Sequence, residues 1–393
     1  MSSKTVLHIA PTPFFADRGC HIRIEGIVNC LAELGYQNLV CTYHHGREVD
    51  GVNTSRITPI KNYTKTEAGP SKYKLWADWK LLWLVVKEIR RTKPAVIHAH
   101  LHEGLMIGLV AKALLFWKKI PLVADMQGSL VGELEAHGSF EKNAWLRWPV
   151  KAIETGLMFF AKTIVCSSEH SLEKIKTEFN LNDAKISLVQ DGARVAPHLS
   201  DIDRLQLRAV LRNGLGVSEN KKIVVYSGAL LESKGLAELK QLISMCGQNE
   251  MLHFLIIGYP VDELEGYLNK QGLAGLCTLT GRVEFEKLPN YLQLADIAID
   301  PKFNDAGEGS GKILNYLACG LPVLAFDTQN NRSFLPAETE LSKSVQAMAS
   351  QLAAVIADEM LLKSMGDANL AHFESNYSWN QSKSQLAVVY QQI

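Results

Sequence analysis

Residues 305–326 read DAGEGSGKILNYLACGLPVLAF and carry a pattern of loop, helix and strand. Small and acidic residues come first, apolar residues at helical spacing follow from Ile313 to Leu317, and Gly320 stands where a glycine commonly ends a helix. Glycines ahead of a helix let backbone amides approach a ligand, and the first-turn N–H groups carry partial positive charge. The stretch suits a phosphate or a sugar hydroxyl, although the same pattern also occurs where only packing is served.

Strand and helix patterns alternate through the rest of the chain. The predicted strands are Thr5–Ala10, Leu39–Tyr43, Ile57–Ile60, Ala95–Ala99, Pro121–Asp125, Thr163–Cys166, Ile186–Val189, Lys222–Ser227, His253–Ile257, Cys277–Thr280, Ile297–Pro301 and Leu321–Phe326. Such alternation predicts an α/β protein with parallel sheets and helices on both faces. The polar stretch 191–220 interrupts it, which predicts two doubly wound, Rossmann-like domains over residues 1–193 and 194–372. Ligands of such sheets bind outside the carboxyl ends of the strands, so we expect the site in a cleft between the halves.

Composition limits the protein class. A formal net charge of zero does not favour a nucleic-acid partner. The seven cysteines show no C-x-x-C spacing, which favours reduced thiols in the cytoplasm over disulfides or structural zinc. The N-terminus leads straight into a strand, so we expect no signal peptide. The longest apolar run, residues 104–117, is too short to span a bilayer, and we expect a soluble or peripheral protein.

Several short motifs follow one another along the chain. They are Tyr226-Ser227-Gly228, Lys234-Gly235, Thr280-Gly281-Arg282-Val283, Leu288-Pro289, Ala295-Asp296, Gly309-Ser310-Gly311-Lys312 and Ala318-Cys319-Gly320-Leu321-Pro322-Val323, with Gly19, Ser167 and Asp191-Gly192 in the first half. Their order and spacing resemble the retaining glycosyltransferases of family 4, which have the two-domain GT-B fold. The resemblance covers nearly the whole chain. It implies that residues 373–393, with Trp379, form a C-terminal helix that packs back on the first domain.

The resemblance implies a hexosyltransferase that moves a sugar from a nucleotide diphosphate sugar to an acceptor hydroxyl with retention, in glycan or cell-envelope polysaccharide synthesis. The donor is a substrate, and no cofactor is expected. The implied catalytic residues are Lys234, Arg282 and Glu308, of which the two cations would stabilise the leaving diphosphate during front-face attack. The implied donor-binding residues are Gly19, Gly228, Lys234, Val283, Gly309, Ser310, Gly311, Lys312 and Asn315.

The chain departs from the family pattern at several of these places. Asn315 stands where a carboxylate would hold the ribose, and Glu308 matches the first family glutamate only with a shift of one residue. Ala229 replaces an arginine, and Gln127 replaces a histidine that lies near the transferred sugar. Two alternatives therefore stay open: a non-catalytic nucleotide-sugar or glycan-binding protein, and a nucleotide-sugar epimerase of the same fold, against which Gln127 argues.

The acceptor side is predicted from strand ends in the first half. His98 and His100 end one predicted strand and Gln127 follows the next, so we expect these three residues to contact an acceptor. Alternating histidines can also ligate a metal, but no Cys or Asp cluster completes a site nearby. No Asp-x-Asp pair stands at a strand end either. The sequence therefore predicts no metal requirement.

The helix predicted over Lys72–Arg91 carries Trp76, Trp79 and Trp83 among lysines and arginines. Aromatic residues with cationic neighbours suit a membrane interface, which predicts a weak peripheral contact at the inner face of the membrane and a lipid-linked or cell-envelope acceptor. The alternative is that the tryptophans face the core while the lysines are solvated. In that case the acceptor would be a soluble glycan or a small molecule.

Overall fold

The computed structural model describes residues 4–66, 71–131, 134, 144–193, 201–303 and 311–393. The chain divides into two compact units. The N-terminal unit comprises Met1–Gly192 and Trp379–Ile393, and the C-terminal unit comprises Ala193–Asp305 and Ser310–Ser378. The first segment of the N-terminal unit ends at Gly192, one residue before the predicted domain boundary at 193. Its C-terminal segment begins at Trp379, six residues after the start predicted at 373.

A sheet of seven parallel strands forms the centre of the N-terminal unit, in the order β3-β2-β1-β4-β5-β6-β7. The strands are β1 (Thr5–Ala10), β2 (Gln37–Thr42), β3 (Thr54–Arg56), β4 (Val96–His100), β5 (Leu122–Met126), β6 (Thr163–Cys166) and β7 (Ile186–Leu188). The predicted parallel sheet is confirmed. The strand predicted at Ile57–Ile60 is wrong by three residues: Ile57 is buried in the core, but the backbone pairs with β2 at Thr54–Arg56.

Helices cover both faces of this sheet. They are α1 (Gly19–Glu33), α2 (Lys74–Thr92), α3 (Leu101–Leu114), α4 (Arg147–Phe160), α5 (Glu169–Phe179) and, from the end of the chain, α14 (Trp379–Gln391). Alternate strand residues point to opposite faces, so one core joins the strands to α2, α3, α4 and α5 while a second joins them to α1 and α14. The helices α2, α3 and α4 lie side by side on the first of these faces.

The C-terminal helix α14 is an integral part of the N-terminal core. Leu386, Val389 and Tyr390 pack with strand and α1 residues, which confirms the helix that packs back on the first domain. Its first residue, Trp379, leaves no room for side chains on two neighbours: a Cβ on Gly26 would lie 2.0 Å from the indole ring, and one on Gly192 would lie 2.7 Å from it. Both positions therefore need glycine.

The outer sides of α2, α3 and α4 are unusually apolar. On α2 the buried side is formed by Ala77, Leu81 and Val85, whereas the three tryptophans are about half exposed, so the alternative that they face the core is wrong. The exposed apolar residues of these three helices and of the short turns next to them lie on the same side of the sheet and are grouped as the aromatic surface. This aromatic surface consists of Trp76, Trp79, Trp83, Met106, Val110, Leu114, Phe116, Trp117, Trp145, Trp148, Phe159 and Phe160.

Five parallel strands form the sheet of the C-terminal unit, in the order β10-β9-β8-β11-β12. The strands are β8 (Lys222–Ser227), β9 (Leu252–Ile257), β10 (Cys277–Gly281), β11 (Ile297–Asp300) and β12 (Val323–Ala325). The helices are α6 (Asp201–Gly214), α7 (Leu236–Met245), α8 (Asp262–Gln271), α9 (Leu288–Leu292), α10 (Gly311–Ala318), α11 (Gln329–Phe334), α12 (Val345–Ile356) and α13 (Glu359–Asn376). The predicted helix and strand around Gly320 are confirmed, and Gly320 has a φ of +63° just after α10.

Helix length and hydropathy bear on membrane insertion. In the described ranges no single helix is both long and apolar enough to cross a bilayer. The segments Val345–Ile356 and Glu359–Gln391 satisfy that length and composition test only when they are taken together across a sharp bend.

Candidate functional site

Two loops of the C-terminal unit approach each other at the carboxyl ends of β8 and β9. A Cβ on Gly258 would lie 1.9 Å from the carbonyl oxygen of Gly228, so no side chain fits between the loops. Gly228 also has a φ of +146°, a conformation that favours glycine. Glycine at both positions leaves bare backbone at the edge of the sheet where open α/β sheets bind ligands.

Lys234 lies beside these loops, at the end of the short 3-10 turn Glu232–Lys234. The next residue, Gly235, has a φ of +90°, and a Cβ there would lie 2.4 Å from the carbonyl oxygen of Pro301. Glycine therefore holds this turn against the chain that follows β11, and α7 begins at the next residue. The turn borders a cleft of about 340 Å³ that is lined by Glu232, Ser233, Gly235, Glu238 and Phe303.

Lys312 is held by a specific set of neighbours rather than solvated on α10. Its Nζ lies 2.7 Å from Oδ1 of Asp300 at the end of β11 and 4.8 Å from the centre of the Tyr226 ring. Burial opposes the charge of this lysine, but the Asp300 carboxylate outweighs it and raises the pKa of Lys312 above its usual range. The lysine is therefore a fixed cation at the carboxyl edge of the sheet.

The remaining predicted donor residues of this unit lie on two elements. The Arg282 guanidinium lies over the Tyr259 ring, 4.1 Å from its centre, just after β10. Val283 is half-buried against the core. Gly311 begins α10, where an added Cβ would meet no atom within 4 Å, and Asn315 is half-buried one turn later. Glu308, Gly309 and Ser310 lie outside the described residues.

In the N-terminal unit, a buried arginine joins the ends of two strands. Arg23 on α1 is only 2% exposed and lies 2.7 Å from the Asp125 carboxylate at β5 and 2.6 Å from Asp191. It also donates to the carbonyl oxygen of Val189 at 2.8 Å. Although burial opposes the charge on Asp125, the Arg23 guanidinium holds the pKa of Asp125 well below its usual range.

The other carboxylate oxygen of Asp125 begins a chain of buried histidines. Nδ1 of His100 donates to Asp125 at 2.8 Å, and Nε2 of His100 lies 3.0 Å from Nδ1 of His8. Nε2 of His8 lies 3.0 Å from the side-chain oxygen of Asn38. His98 stands apart from this chain, with Nδ1 2.8 Å from the Tyr390 hydroxyl on α14. Burial, with the neighbouring His100, lowers the pKa of His8 to about 3.

The directions of these hydrogen bonds follow from Asn38, whose amide nitrogen donates to two backbone carbonyl oxygens at 3.2 and 3.3 Å. Its oxygen must therefore accept from Nε2 of His8, which leaves Nδ1 of His8 as an acceptor. Nδ1 of His8 in turn lies 3.0 Å from Nε2 of His100, so Asp125, His100, His8 and Asn38 form one buried hydrogen-bonded chain.

His98, His100 and Asp125 also have the residue types of a metal site, with one ligand atom from each within 4.8 Å of the others. Both ring nitrogens of His100, however, already have hydrogen-bond partners, Asp125 and His8. Both oxygens of Asp125 are occupied as well, one by Arg23 and one by His100. The cluster therefore fits a charge-paired network better than a cation site.

Two predicted residues of this unit are closer to solvent. Gln127 is half-buried after β5 and donates to Asp125 at 3.4 Å, so it lies directly in front of the buried network. Gly19 begins α1, whose N-terminal residue Arg18 makes no side-chain capping hydrogen bond. A Cβ on Gly19 would meet no atom within 4 Å. The space at this helix start is therefore open on the described side.

Two family models match the chain along most of its length. The model described as Glycosyltransferase Family 4 matches residues 18–196, and the model described as Glycosyl transferases group 1 matches residues 208–371. The chain belongs to the glycosyltransferases of family 4.

Individual proteins agree with this family. The glycosyltransferase is 22% identical to the alpha-D-kanosaminyltransferase of Streptomyces kanamyceticus over 329 residues, which are 81% of this chain and 83% of that protein. The sucrose-phosphate synthase of Thermosynechococcus elongatus has a similar structure, with a TM-score of 0.80, 16% identity and coverage of 99% and 98% of the two chains. Anabaena HepE in complex with UDP-glucose has a TM-score of 0.77, with 16% identity and coverage of 99% and 100%. These structures confirm the GT-B fold, and the matches do not favour the epimerase or the non-catalytic binding protein.

The glycosyltransferase gathers Gly228, Lys234, Arg282 and Lys312 at the carboxyl ends of strands in one sheet. In the other sheet, His100 ends β4, Gln127 follows β5, and Gly19 begins the helix that comes after β1. His98 lies two residues before the end of β4. His98 and His100 are fully buried, whereas Gln127 is half-buried. The donor and acceptor roles of all these residues stay predictions.

Sequence reasoning missed Arg23, Asp125 and Tyr316. Arg23 stands inside an amphipathic helix, and its carboxylate partners are 102 and 168 residues away, so no local spacing reveals the pairing. Tyr316 is fully buried on α10, where its hydroxyl accepts from the backbone N–H of Ser227 at 2.7 Å and ties α10 to the end of β8. The usable signal was an Asp at the end of an apolar strand, as in Asp125 and Asp300.

Proposed function

We propose that this glycosyltransferase moves a hexose from a nucleotide diphosphate sugar to an acceptor hydroxyl with retention of configuration. The observation that carries the proposal is the carboxyl edge of the C-terminal sheet. There Gly228 and Gly258 leave bare backbone beside Lys234 and the fixed cation Lys312. Bare amides and cations at a strand edge suit a diphosphate, whose oxygens accept several hydrogen bonds.

The donor residues have separate roles in this proposal. Lys234 and Arg282 stabilise the negative charge of the diphosphate, together with backbone amides at the starts of α7 and α10. Lys312 is held at the start of α10 by its ion pair with Asp300, beside the proposed diphosphate site. Asn315 offers an amide to the ribose hydroxyls, because an amide both donates and accepts hydrogen bonds. Glu308, Gly309 and Ser310 complete the donor set as expected from the family motif.

Retention is proposed to follow from attack on the same face that the leaving group departs from. The acceptor oxygen forms a bond to the anomeric carbon while the bond from that carbon to the diphosphate oxygen breaks. The acceptor proton passes to the departing diphosphate oxygen. Asp300 is not offered as a nucleophile, because it is 1% exposed and paired with Lys312. The two cations Lys234 and Arg282 lower the barrier by stabilising the developing charge.

The N-terminal unit is proposed to hold the acceptor. Gln127 is half-buried and donates a hydrogen bond to Asp125. Asp125 is in turn hydrogen-bonded to His100, so this buried pair orients the Gln127 side chain. In this arrangement His98 and His100 act on the acceptor through Gln127 and by fixing the strand ends. Gly19 leaves room at the start of α1 for the sugar or phosphate portion of the donor.

No divalent metal is proposed to take part, because cations and helix amides can supply the stabilisation that a metal supplies elsewhere. We expect turnover to be unchanged after dialysis against EDTA. Mock-dialysed enzyme is the control, and each sample is also assayed with added magnesium or manganese. Complete loss of turnover in EDTA that either metal restores would contradict the proposal and direct attention to His98 and Asp125.

The aromatic surface supports a peripheral contact with the inner face of the cytoplasmic membrane and an acceptor that is lipid-linked or part of the cell envelope. Monomeric proteins rarely expose an apolar surface of this extent unless it meets a membrane or a partner. Tryptophans beside lysines are enriched where proteins meet lipid headgroups. A water-soluble glycan or small molecule is the acceptor if the protein does not bind anionic vesicles at low salt.

The test of the proposed function has two stages. A thermal-shift screen of nucleotide diphosphate sugars identifies the donor, since a specific ligand raises the melting temperature by mass action. Turnover is then measured with that donor and a panel of hydroxyl acceptors, and proton NMR of the product reports its anomeric configuration. An α-linked donor sugar should give an α-linked product. Binding without turnover over the whole panel would contradict catalysis, and inversion would contradict front-face attack.

A further inference from the structure

An apolar pocket of about 450 Å³ lies in the N-terminal unit where α3 ends. Its walls come from the ends of α2, α3 and α4 and from β4, and they include Ile89, Ile97, Leu109, Leu115, Ile120 and Phe160. A volume of this size with apolar walls is in the range of ligand-binding pockets. The predicted site residues are not among its lining residues, so the pocket is separate from the proposed sugar-transfer site.

Three lysines line the same pocket: Lys112, Lys118 and Lys119. In the part of the chain that the structure describes, none of them forms an ion pair with a carboxylate. Lys112 is half-buried, and burial lowers its pKa because no counter-ion offsets the loss of water. A partly desolvated cation beside an apolar cavity is a place where an anion with an apolar tail can gain both contacts.

Helix geometry gives a competing explanation for the lysines, since cations near the carboxyl end of a helix offset its dipole. That explanation accounts for Lys112 in the last turn of α3. It does not account for the pocket beside it or for the exposed rim, where Phe116 is 75% exposed and Phe160 is 67% exposed. The rim is continuous with the aromatic surface, to which both phenylalanines belong.

We propose that this pocket binds the hydrocarbon chain of an anionic phospholipid-like molecule, with the phosphate group at Lys112 and Lys118. The inference rests on the membrane contact in the proposed function and adds to it a defined site for one lipid molecule. A hydrocarbon chain fits the apolar walls. A phosphate supplies the negative partner for the lysines, which form no ion pair with a carboxylate among the described residues. The aromatic surface around the pocket then lies among the headgroups.

Decyl phosphate, used below its micelle concentration, is the direct probe, and isothermal titration of the full-length protein is the measurement. Inorganic phosphate and decanol are the ligand controls, since each carries only half of the proposed chemistry. We expect saturable one-to-one binding of decyl phosphate, with both controls at least about tenfold weaker. Absence of saturable binding, or equal binding of decanol, would overturn the proposal.

Two variants separate the pocket from the lysine. Ala113 is exposed and lines the pocket, so Ala113→Trp blocks it without burying a new group, and Ala353→Trp on an exposed position of α12 is the matched control. We expect at least a tenfold loss of decyl phosphate affinity in Ala113→Trp and no loss in Ala353→Trp. Lys112→Gln should weaken binding about tenfold and reduce its dependence on salt. Binding by Ala113→Trp at wild-type affinity would overturn the proposal.

Vesicles identify the source of the ligand. If Ala113→Trp also reduces co-sedimentation with phosphatidylglycerol vesicles, the pocket takes a membrane lipid; if only decyl phosphate binding is lost, it takes a soluble alkyl phosphate, and both results support the site. Light scattering tests a second copy of the chain as occupant: a wild-type dimer that Ala113→Trp dissociates would overturn the proposal. Turnover with the identified donor and the full acceptor panel is measured in parallel, because its absence over the whole panel would contradict the proposed function while leaving decyl phosphate binding intact.

Discussion

The two units place their charged groups differently. In the N-terminal unit, Arg23, Asp125 and His100 are each at most 2% exposed, and Arg23 pairs with both Asp125 and the partly exposed Asp191. Among the described residues of the C-terminal unit, the other charged groups at the equivalent sheet edge lie at turns and beside a cleft, and the Lys312–Asp300 pair is the one that is deeply buried. The charged groups of the N-terminal unit are thus buried and paired, whereas those of the C-terminal unit are accessible to a charged ligand.

The two units also differ in the aromatic side chains that they expose. All seven tryptophans belong to the N-terminal unit, and every one except Trp379 is exposed. In the described part of the C-terminal unit, Phe303 is the one exposed phenylalanine, and it borders the cleft. Under the proposed function, we expect the N-terminal unit to meet a large or lipid-bearing partner and the C-terminal unit to meet a small polar one. Each of the following variants tests one side of this contrast.

The largest expected effect is the loss of the buried arginine. Arg23→Met leaves Asp125 charged, buried and without its main partner, and such a loss typically costs about 3–5 kcal/mol. We expect the free energy of unfolding, measured by urea denaturation, to fall by that amount. Arg332→Met is the matched control, because Arg332 also forms two contacts with one aspartate, Asp327, but is 65% exposed.

The control should change the free energy of unfolding by no more than about 1 kcal/mol, since exposed ion pairs contribute little. Equal effects of Arg23→Met and Arg332→Met would remove the distinction between a buried network in one unit and solvated pairs in the other. The conservative variant Arg23→Lys should recover part of the loss, because it restores the charge but not the two-pronged geometry.

The next effect concerns catalysis in the C-terminal unit. Lys234→Ala should lower turnover at saturating donor by about ten- to a hundredfold, the equivalent of one lost charge-assisted contact. The melting temperature should hardly change, because Lys234 is only half-buried in a turn. Lys270→Ala, on an exposed position of α8, is the matched control. Unchanged turnover in Lys234→Ala would exclude this lysine from the reaction.

Acid should destabilise the N-terminal unit more than the C-terminal unit. Burial lowers the pKa of His8 to about 3, and it also lowers the pKa values of His21, His44 and His98 in the N-terminal unit. In the C-terminal unit, burial lowers the pKa of His253 to about 4 and also lowers the pKa of His372. Below the unfolded value near 6.5, the unfolded chain binds protons that the folded chain does not. As the pH is lowered, the free energy of unfolding therefore decreases by about 1.4 kcal/mol per pH unit for each such histidine.

Two described carboxyl groups of the N-terminal unit, Asp78 and Asp191, work in the opposite direction, because burial raises the pKa of each. Burial raises the pKa of Asp78 to about 6, so the folded form binds the proton first and gains stability as the pH falls through that value. Hydrogen exchange at pH 7 and pH 5, resolved by peptide, compares the two units in one sample. His8→Asn should flatten the pH dependence of the N-terminal unit by the share of one histidine. An equal response of both units would contradict the unequal burial of their histidines.

The smallest effect is expected at the aromatic surface. The triple variant Trp76→Ser, Trp79→Ser, Trp83→Ser should reduce co-sedimentation with anionic vesicles severalfold, and turnover with a water-soluble acceptor should not change. Binding by the wild type should weaken as salt is added, because attraction between surface charges is screened. The control is Leu205→Ser on α6 of the C-terminal unit. Wild-type protein that stays in the supernatant at low salt would contradict the membrane contact.

Sequence patterns predicted the fold well where elements are long and two-sided. Strands at Thr5–Ala10, Thr163–Cys166 and Lys222–Ser227 have their predicted bounds, because their apolar runs are buried on both faces and end at turn residues. The three-residue strand Thr54–Arg56 was misplaced because it lies at the sheet edge, where pairing with β2 rather than burial determines which residues join. Backbone pairing of this kind leaves no periodic signal.

The candidate site was predictable only in part. The glycine turns and Lys234 stand in local motifs, so spacing along the chain could find them. The partnership of Lys312 with Asp300 and the buried network of Arg23, Asp125 and His100 depend on strand order, which brings distant residues to one edge. The tryptophans of α2 show the same limit, since a helix with apolar residues on two sides does not reveal which side meets the sheet.

The position of α14 has a consequence for biosynthesis. Its side chains Leu386, Val389 and Tyr390 complete a core that begins with Val6 on the first strand. During translation, the part of this sheet face that α14 covers therefore stays exposed until residues 379–393 are made, although α1 already covers the rest. A chain cut before Trp379 leaves Gly26 and Gly192 facing a void, and the exposed strands become a template for aggregation.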